Sequence, residues 1–129
     1  MSEEPQYGYF PLGEFLGMSL ETVSDGVVAE IDIGPKHLNP NGVAHGGVIF
    51  TMLDTAMGKA TMEVIPDGCF CATIEIQTRF LRPLMPGPCV AKVTVTKPGR
   101  TIVHLGGEVF DAAERLVATA SGSFSVITP

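Results

Sequence analysis

Residues 46–65 read GGVIFTMLDTAMGKATMEVI, and this stretch decides the fold. No proline interrupts it, and its length with its Met, Ala and Leu content predicts a helix rather than a strand. Val48, Phe50, Met52, Leu53, Ala56, Met57, Ala60 and Val64 place apolar groups on most sides. Charge is thin, with only Asp54, Lys59 and Glu63. A helix of this kind has to be covered nearly all round. Pro66-Asp67-Gly68 ends it.

Upstream, residues 1–15 form a lead-in that is rich in Pro, Gly and aromatics from Pro5 on, and a short helical turn is expected over Phe10 to Gly17. Met18 to Ser24 and Val27 to Ile33 read as two strands joined at Asp25-Gly26. Val27, Ala29, Ile31 and Ile33 alternate with Val28, Glu30 and Asp32, so one face is buried. Gly34 to Gly42, GPKHLNPNG, is loop by composition. Downstream, Cys71 to Pro83 alternates Ile74, Ile76, Thr78 and Phe80 against Thr73, Glu75, Gln77 and Arg79. Leu84 to Pro88 is expected to turn the chain back into Cys89 to Thr96. Thr101 to Phe110 and Leu116 to Ile127 follow as further strands. Hairpin spacing predicts an antiparallel meander. Two strands, one buried helix and four strands make a two-layer α+β domain, with a curved sheet wrapped around the helix. So small a domain cannot cover both layers alone, which predicts a dimer.

The chain has 129 residues, 45% apolar and 17% charged, which is globular composition and suggests one domain over 1–129. Its net charge is −6, the wrong sign for a nucleic-acid binder. No run of about 18 uncharged apolar residues exists, so no membrane helix is expected. The start, MSEEPQ, is acidic where a signal peptide is basic and then apolar, so the expected compartment is the cytoplasm. Cys69, Cys71 and Cys89 match no metal spacing and read as small buried residues in a reducing compartment. Charge is uneven: residues 1–67 carry −8 and residues 68–129 carry +2. The second-half bases are either solvated strand faces or part of an anion site.

Chemistry concentrates in Asn39-Pro40-Asn41-Gly42-Val43-Ala44-His45-Gly46-Gly47, followed by Asp54. A loop runs into a helix at His45-Gly46-Gly47, where first-turn N–H groups have no intrahelical partner and the macrodipole is positive. Glycine there admits a ligand to the backbone, which is the design of an oxyanion hole. Asp54 is a lone carboxylate between Leu53 and Thr55; it is either a structural or solvent-facing acid or a reacting one. Gly46 and Asp54 are separated by about 12 Å of helix at about 1.5 Å per residue. One chain cannot bring both to one reacting carbon. Two antiparallel helices across a two-fold axis can, which gives two shared sites per dimer.

The pattern Asn39, His45-Gly46-Gly47 and Asp54, in HGGVIFTMLDTAMG, resembles the hotdog-fold acyl-CoA thioesterases, nearest their phenylacetate-pathway (PaaI-like) branch. TRFLRP at 78–83 and TKPGRT at 96–101 match in order and spacing, and the likeness spans residues 15–127. The resemblance implies a hotdog fold and hydrolysis of an acyl-CoA without metal or other cofactor, coenzyme A being part of the substrate. It implies that the Gly46 N–H polarises the carbonyl and that Asp54 of the facing protomer activates water or attacks. It further implies that Asn39 helps hold the carbonyl or water, that His45 orients the loop, and that Thr73 hydrogen-bonds the acid. It also implies that Gly47 lies at the substrate beside Gly46.

Coenzyme A carries phosphates, so Arg82, Lys97 and Arg100 become candidates for its nucleotide. Phe50, Met57, Met62 and Phe80 are candidates for the acyl pocket, though each also suits the core. His104, mid-strand, reads as a satisfied core or face histidine. The expected assembly is a functional homodimer within a homotetramer, with no nucleic-acid or membrane partner. Two rivals share the scaffold. A hotdog hydratase would need a different loop around its His. A non-catalytic acyl-CoA sensor would often lack the helix acid that Asp54 supplies.

Overall fold

A computed structural model describes residues 8–129, so the first seven residues of the expected lead-in lie outside the described residues. Helix α1 spans Pro11–Leu16. Pro11 opens it, where a missing N–H costs nothing, and Gly17 closes it in the left-handed region at φ 69°. Strands β1 (Ser19–Val23) and β2 (Gly26–Ile33) form the expected hairpin. A short 3-10 turn over Pro35–His37 sits in the loop, and α2 runs over Gly46–Met62. It stops three residues before Ile65; Glu63 still has helical backbone angles, and Pro66 restricts only Ile65.

Strands β3 (Phe70–Phe80), β4 (Gly87–Pro98), β5 (Ile102–Phe110) and β6 (Leu116–Ile127) complete the chain. The sheet order is β1-β2-β4-β5-β6-β3, and every neighbouring pair is antiparallel. The curved sheet packs on α2, as expected. Val27, Ala29, Ile31 and Ile33 are all buried, as the alternation in β2 required. They meet Met52, Leu53, Ala56 and Met57 of α2, and Cys89, Ala91 and Val93 of β4 join them.

Two expectations are corrected. Strands β3 and β4 do not form a hairpin: β3 lies at the sheet edge against β6, while β4 lies between β2 and β5. Pro83 and Pro86 deny the connecting segment the N–H groups of a tight turn. It crosses the end of the sheet instead. Leu81 and Arg82 donate their N–H groups to the Val117 carbonyl, and the Leu84 carbonyl accepts from Ala44. The alternation along β3 is also broken. Thr73 pairs with Phe124 and Glu75 with Ser123, so Ile74 is an unpaired extra residue. Ile76, Thr78 and Phe80 therefore share a face with Thr73, and Ile74 is turned out at 54% exposure.

Candidate active site

The loop into α2 is built by two histidines. His37 is buried; its Nδ1 accepts from the Gly34 N–H at 2.9 Å, and its Nε2 donates to the Leu16 carbonyl at 2.8 Å. Its own carbonyl receives the His45 N–H at 2.8 Å. His37 thus ties α1 to the loop that presents the helix. Sequence reasoning passed over it as loop composition. The available signal was its place three residues after Gly34 in the turn-forming run GPKH.

His45 is the N-cap of α2, and its Nδ1 accepts from the Gly47 N–H at 2.8 Å. That bond puts the ring proton on Nε2. The His45 carbonyl takes the Val48 N–H at 2.9 Å. Among the described residues, no acceptor meets the Gly46 N–H. The cap therefore leaves one donor free at the positive end of the helix. Glycine at 47 is required by close approach, since a Cβ there would sit 2.9 Å from His45 Nδ1. At Gly46 a Cβ would lie 3.2 Å from Phe80 Cζ, so the Phe80 ring flanks the free donor. Asn39 Oδ1 accepts from the N–H groups of Asn41 (2.9 Å) and Val43 (3.4 Å). The oxygen of Asn39 thus builds the turn, and its Nδ2 hydrogens take no part in it.

Asp54 is half-buried at mid-helix, and Thr73 Oγ1 donates to its Oδ1 at 2.7 Å. Cys71, two residues earlier on β3, points its thiol at the Gly58 carbonyl one helical turn beyond Asp54, at 3.7 Å. Burial first, and the Asp54 charge second, push the Cys71 thiol up, which disfavours a reactive thiolate. Cys89 is pushed up to about 12, again mainly by burial. All three cysteines are free.

The sequence-derived residues therefore fall into separate groups. His45, Gly46 and Gly47 gather at the helix start. Gly46, Phe80 and Arg82 line a cleft of about 410 Å³ there, with Val43 and Leu84. Asp54 and Thr73 form a second group, separated from the Gly46 N–H by about 12 Å of helix. Lys97 and Arg100 are exposed at the far end of the sheet, where Val95 and Pro98 share a hollow with Ala60 and Glu63 at the end of α2. One chain thus does not bring them to Arg82. Met57 is fully buried, and a Cβ at Gly122 would lie 2.6 Å from its sulfur, so within one chain it packs in the helix–sheet interior. Phe50 and Met62 are partly exposed, at 38% and 45%. His104 is exposed on β5, with Nδ1 3.3 Å from Ser123 Oγ.

The Thioesterase superfamily description matches residues 41–118, from the loop through α2 to the start of β6. A protein of Halobacterium salinarum that carries an esterase name is 34% identical over 124 residues, covering 87% of this chain and 82% of its own. A Bacillus halodurans protein crystallised with CoA is 30% identical with a TM-score of 0.84, covering 92% of this chain and 77% of that one. A Ralstonia eutropha protein named as a phenylacetic acid degradation-related thioesterase is 25% identical, with a TM-score of 0.82 and coverage of 95% and 92%. The chain belongs to the thioesterase superfamily and is a thioester hydrolase by class. Its hotdog fold is the one its resemblance implied, and no helix among the described residues is long and apolar enough to cross a membrane.

Proposed function

We propose that two copies of this chain hydrolyse acyl-CoA thioesters at sites they share. The observation that carries this is the half-buried Asp54, held by Thr73 at 2.7 Å, on the same helix as the free Gly46 N–H. The two lie too far apart to serve one carbonyl within a chain. The face of α2 around Asp54 carries Gly47 and Thr51, small residues that let a second helix approach closely. Strand β3 ends the sheet with Phe70, Ile74 and Phe80 exposed. Both features support an antiparallel pairing of two protomers.

In that pairing the Gly46 N–H receives the thioester carbonyl oxygen. Asp54 of the partner subunit takes a proton from water, whose oxygen attacks the carbonyl carbon. The C–S bond then breaks, and the CoA thiolate leaves and is protonated. Direct attack by the carboxylate reaches the same products through an anhydride that water cleaves. Neither route uses a metal or redox group. The same pairing turns Lys97 and Arg100 of the partner subunit toward the Arg82 end, which suits a nucleotide with several phosphates. Three free cysteines fit a cytoplasmic setting.

The test is thiol release from aryl-acetyl, benzoyl and short- to long-chain acyl-CoAs. Asp54→Asn should lower kcat by about 10²–10⁴ on the best substrate. Wild-type turnover by that variant overturns the role of Asp54. Tight binding without release from any substrate favours a non-catalytic acyl-CoA sensor.

A further inference from the structure

The irregularity in β3 lies beside the acid. Thr73 faces Phe124 and Glu75 faces Ser123, which leaves Ile74 as an added residue, a β-bulge. In a strand of strict alternation, Ile74 and Ile76 would share the helix-facing side and Thr73 would point away. The bulge inverts this. Thr73 joins Ile76 on the side of the buried Phe124 and Gly122, and its hydroxyl reaches Asp54. Thr73 and Ile74 are both exposed, yet the threonine faces the helix acid and the isoleucine faces away, which strict alternation of apolar residues does not produce. Bulges also bend and twist their strand locally, and they occur beside active sites.

We infer that the bulge at Ile74 is a positioning device for Asp54, and that it acts through Thr73. Ile74 is a positioning residue by being an additional residue, not by its side chain. This rests on the reading of Asp54 as the reacting acid. Without the extra residue, the Phe70–Thr73 half of β3 realigns against α2, and the 2.7 Å bond to Asp54 is lost.

The test measures kcat and KM by thiol release on the best acyl-CoA, with Asp54→Asn as reference. Ile74→Ala keeps the residue count and should lower kcat much less than deletion of Ile74 does, with gel filtration confirming that the dimer persists. Deletion of Ile74 should lower kcat about tenfold or more, to the level of Thr73→Val, with KM nearly unchanged. Combining the deletion with Thr73→Val should lower kcat no further, because both remove one interaction. Circular dichroism and gel filtration report whether the deletion variant folds. If it does not, the exchange Thr73→Val with Ile74→Thr decides, since a hydroxyl moved onto the bulge should leave kcat at the Thr73→Val level. Wild-type kcat in the folded deletion variant, additive losses, or recovery in the exchange overturns the inference. So does a harmless Thr73→Val beside a dead Asp54→Asn. A harmless Asp54→Asn overturns the proposed function instead.

Discussion

Two inactive variants of this chain should revive each other on mixing. Asp54→Asn keeps the shape of the helix and removes the acid. Gly46→Val removes access to the free donor, because its Cβ would lie 3.2 Å from Phe80 Cζ and the branched side chain must fill the approach to the N–H. Each variant alone forms dimers with both sites dead. In a mixed dimer, one site collects both defects and the other collects neither. Random exchange makes half the dimers mixed, each with one intact site of two, so about a quarter of wild-type activity should return. The geometry behind this is only the helix rise, which holds Gly46 and Asp54 about 12 Å apart in any one chain. The assay is thiol release after incubation of the two variants, with a tag on one to prove subunit exchange by pull-down. Proven exchange with no activity would refute the shared site.

Other perturbations test the scaffold around the site. His45→Ala removes the acceptor of the Gly47 N–H and should lower stability by about 1 kcal/mol. A thermal melt unchanged from wild type would show that His45 does not cap the helix. His37→Phe strands the Gly34 N–H and the Leu16 carbonyl and should cost about 2–4 kcal/mol, read from denaturant unfolding. Asp111 is held below the usual carboxylate range, chiefly by the Arg115 backbone N–H. A depressed acid adds stability that is present above its unfolded pKa and is lost as pH falls through the folded one. Asp111→Ala should therefore lower Tm at pH 7, and the gap to wild type should close in acid. A gap that persists at low pH would contradict the titration.

Local features were legible in the sequence, and non-local ones were not. The long helix, its opening at Gly46 and the buried face of β2 follow from periodicity and loop chemistry that neighbouring residues carry themselves. The separation of Gly46 from Asp54 was equally readable, because helix rise is constant. The pairing of β3 with β6 was not: it joins Phe70 to Ile127 across the whole second half of the chain, and hairpin spacing favoured the nearer strand β4. Thr73 was placed opposite Asp54 by resemblance alone. Its orientation depends on one unpaired isoleucine, which alternation reads as an inward residue. His37 was hidden because burial of a loop histidine depends on α1 folding over it.

Strand β6 lies between β5 and β3, yet it follows both in the chain. During synthesis, β3 leaves the ribosome long before the strand that will hold it. Until Leu116–Ile127 emerges, Thr73 has no ladder to fix it, and the crossing segment lacks the Val117 carbonyl that anchors Leu81 and Arg82. The nascent chain therefore carries β3 without its β6 ladder, the kind of segment that invites misassembly or chaperone capture. A message truncated before β6 would yield a helix with its acid and no strand to orient it.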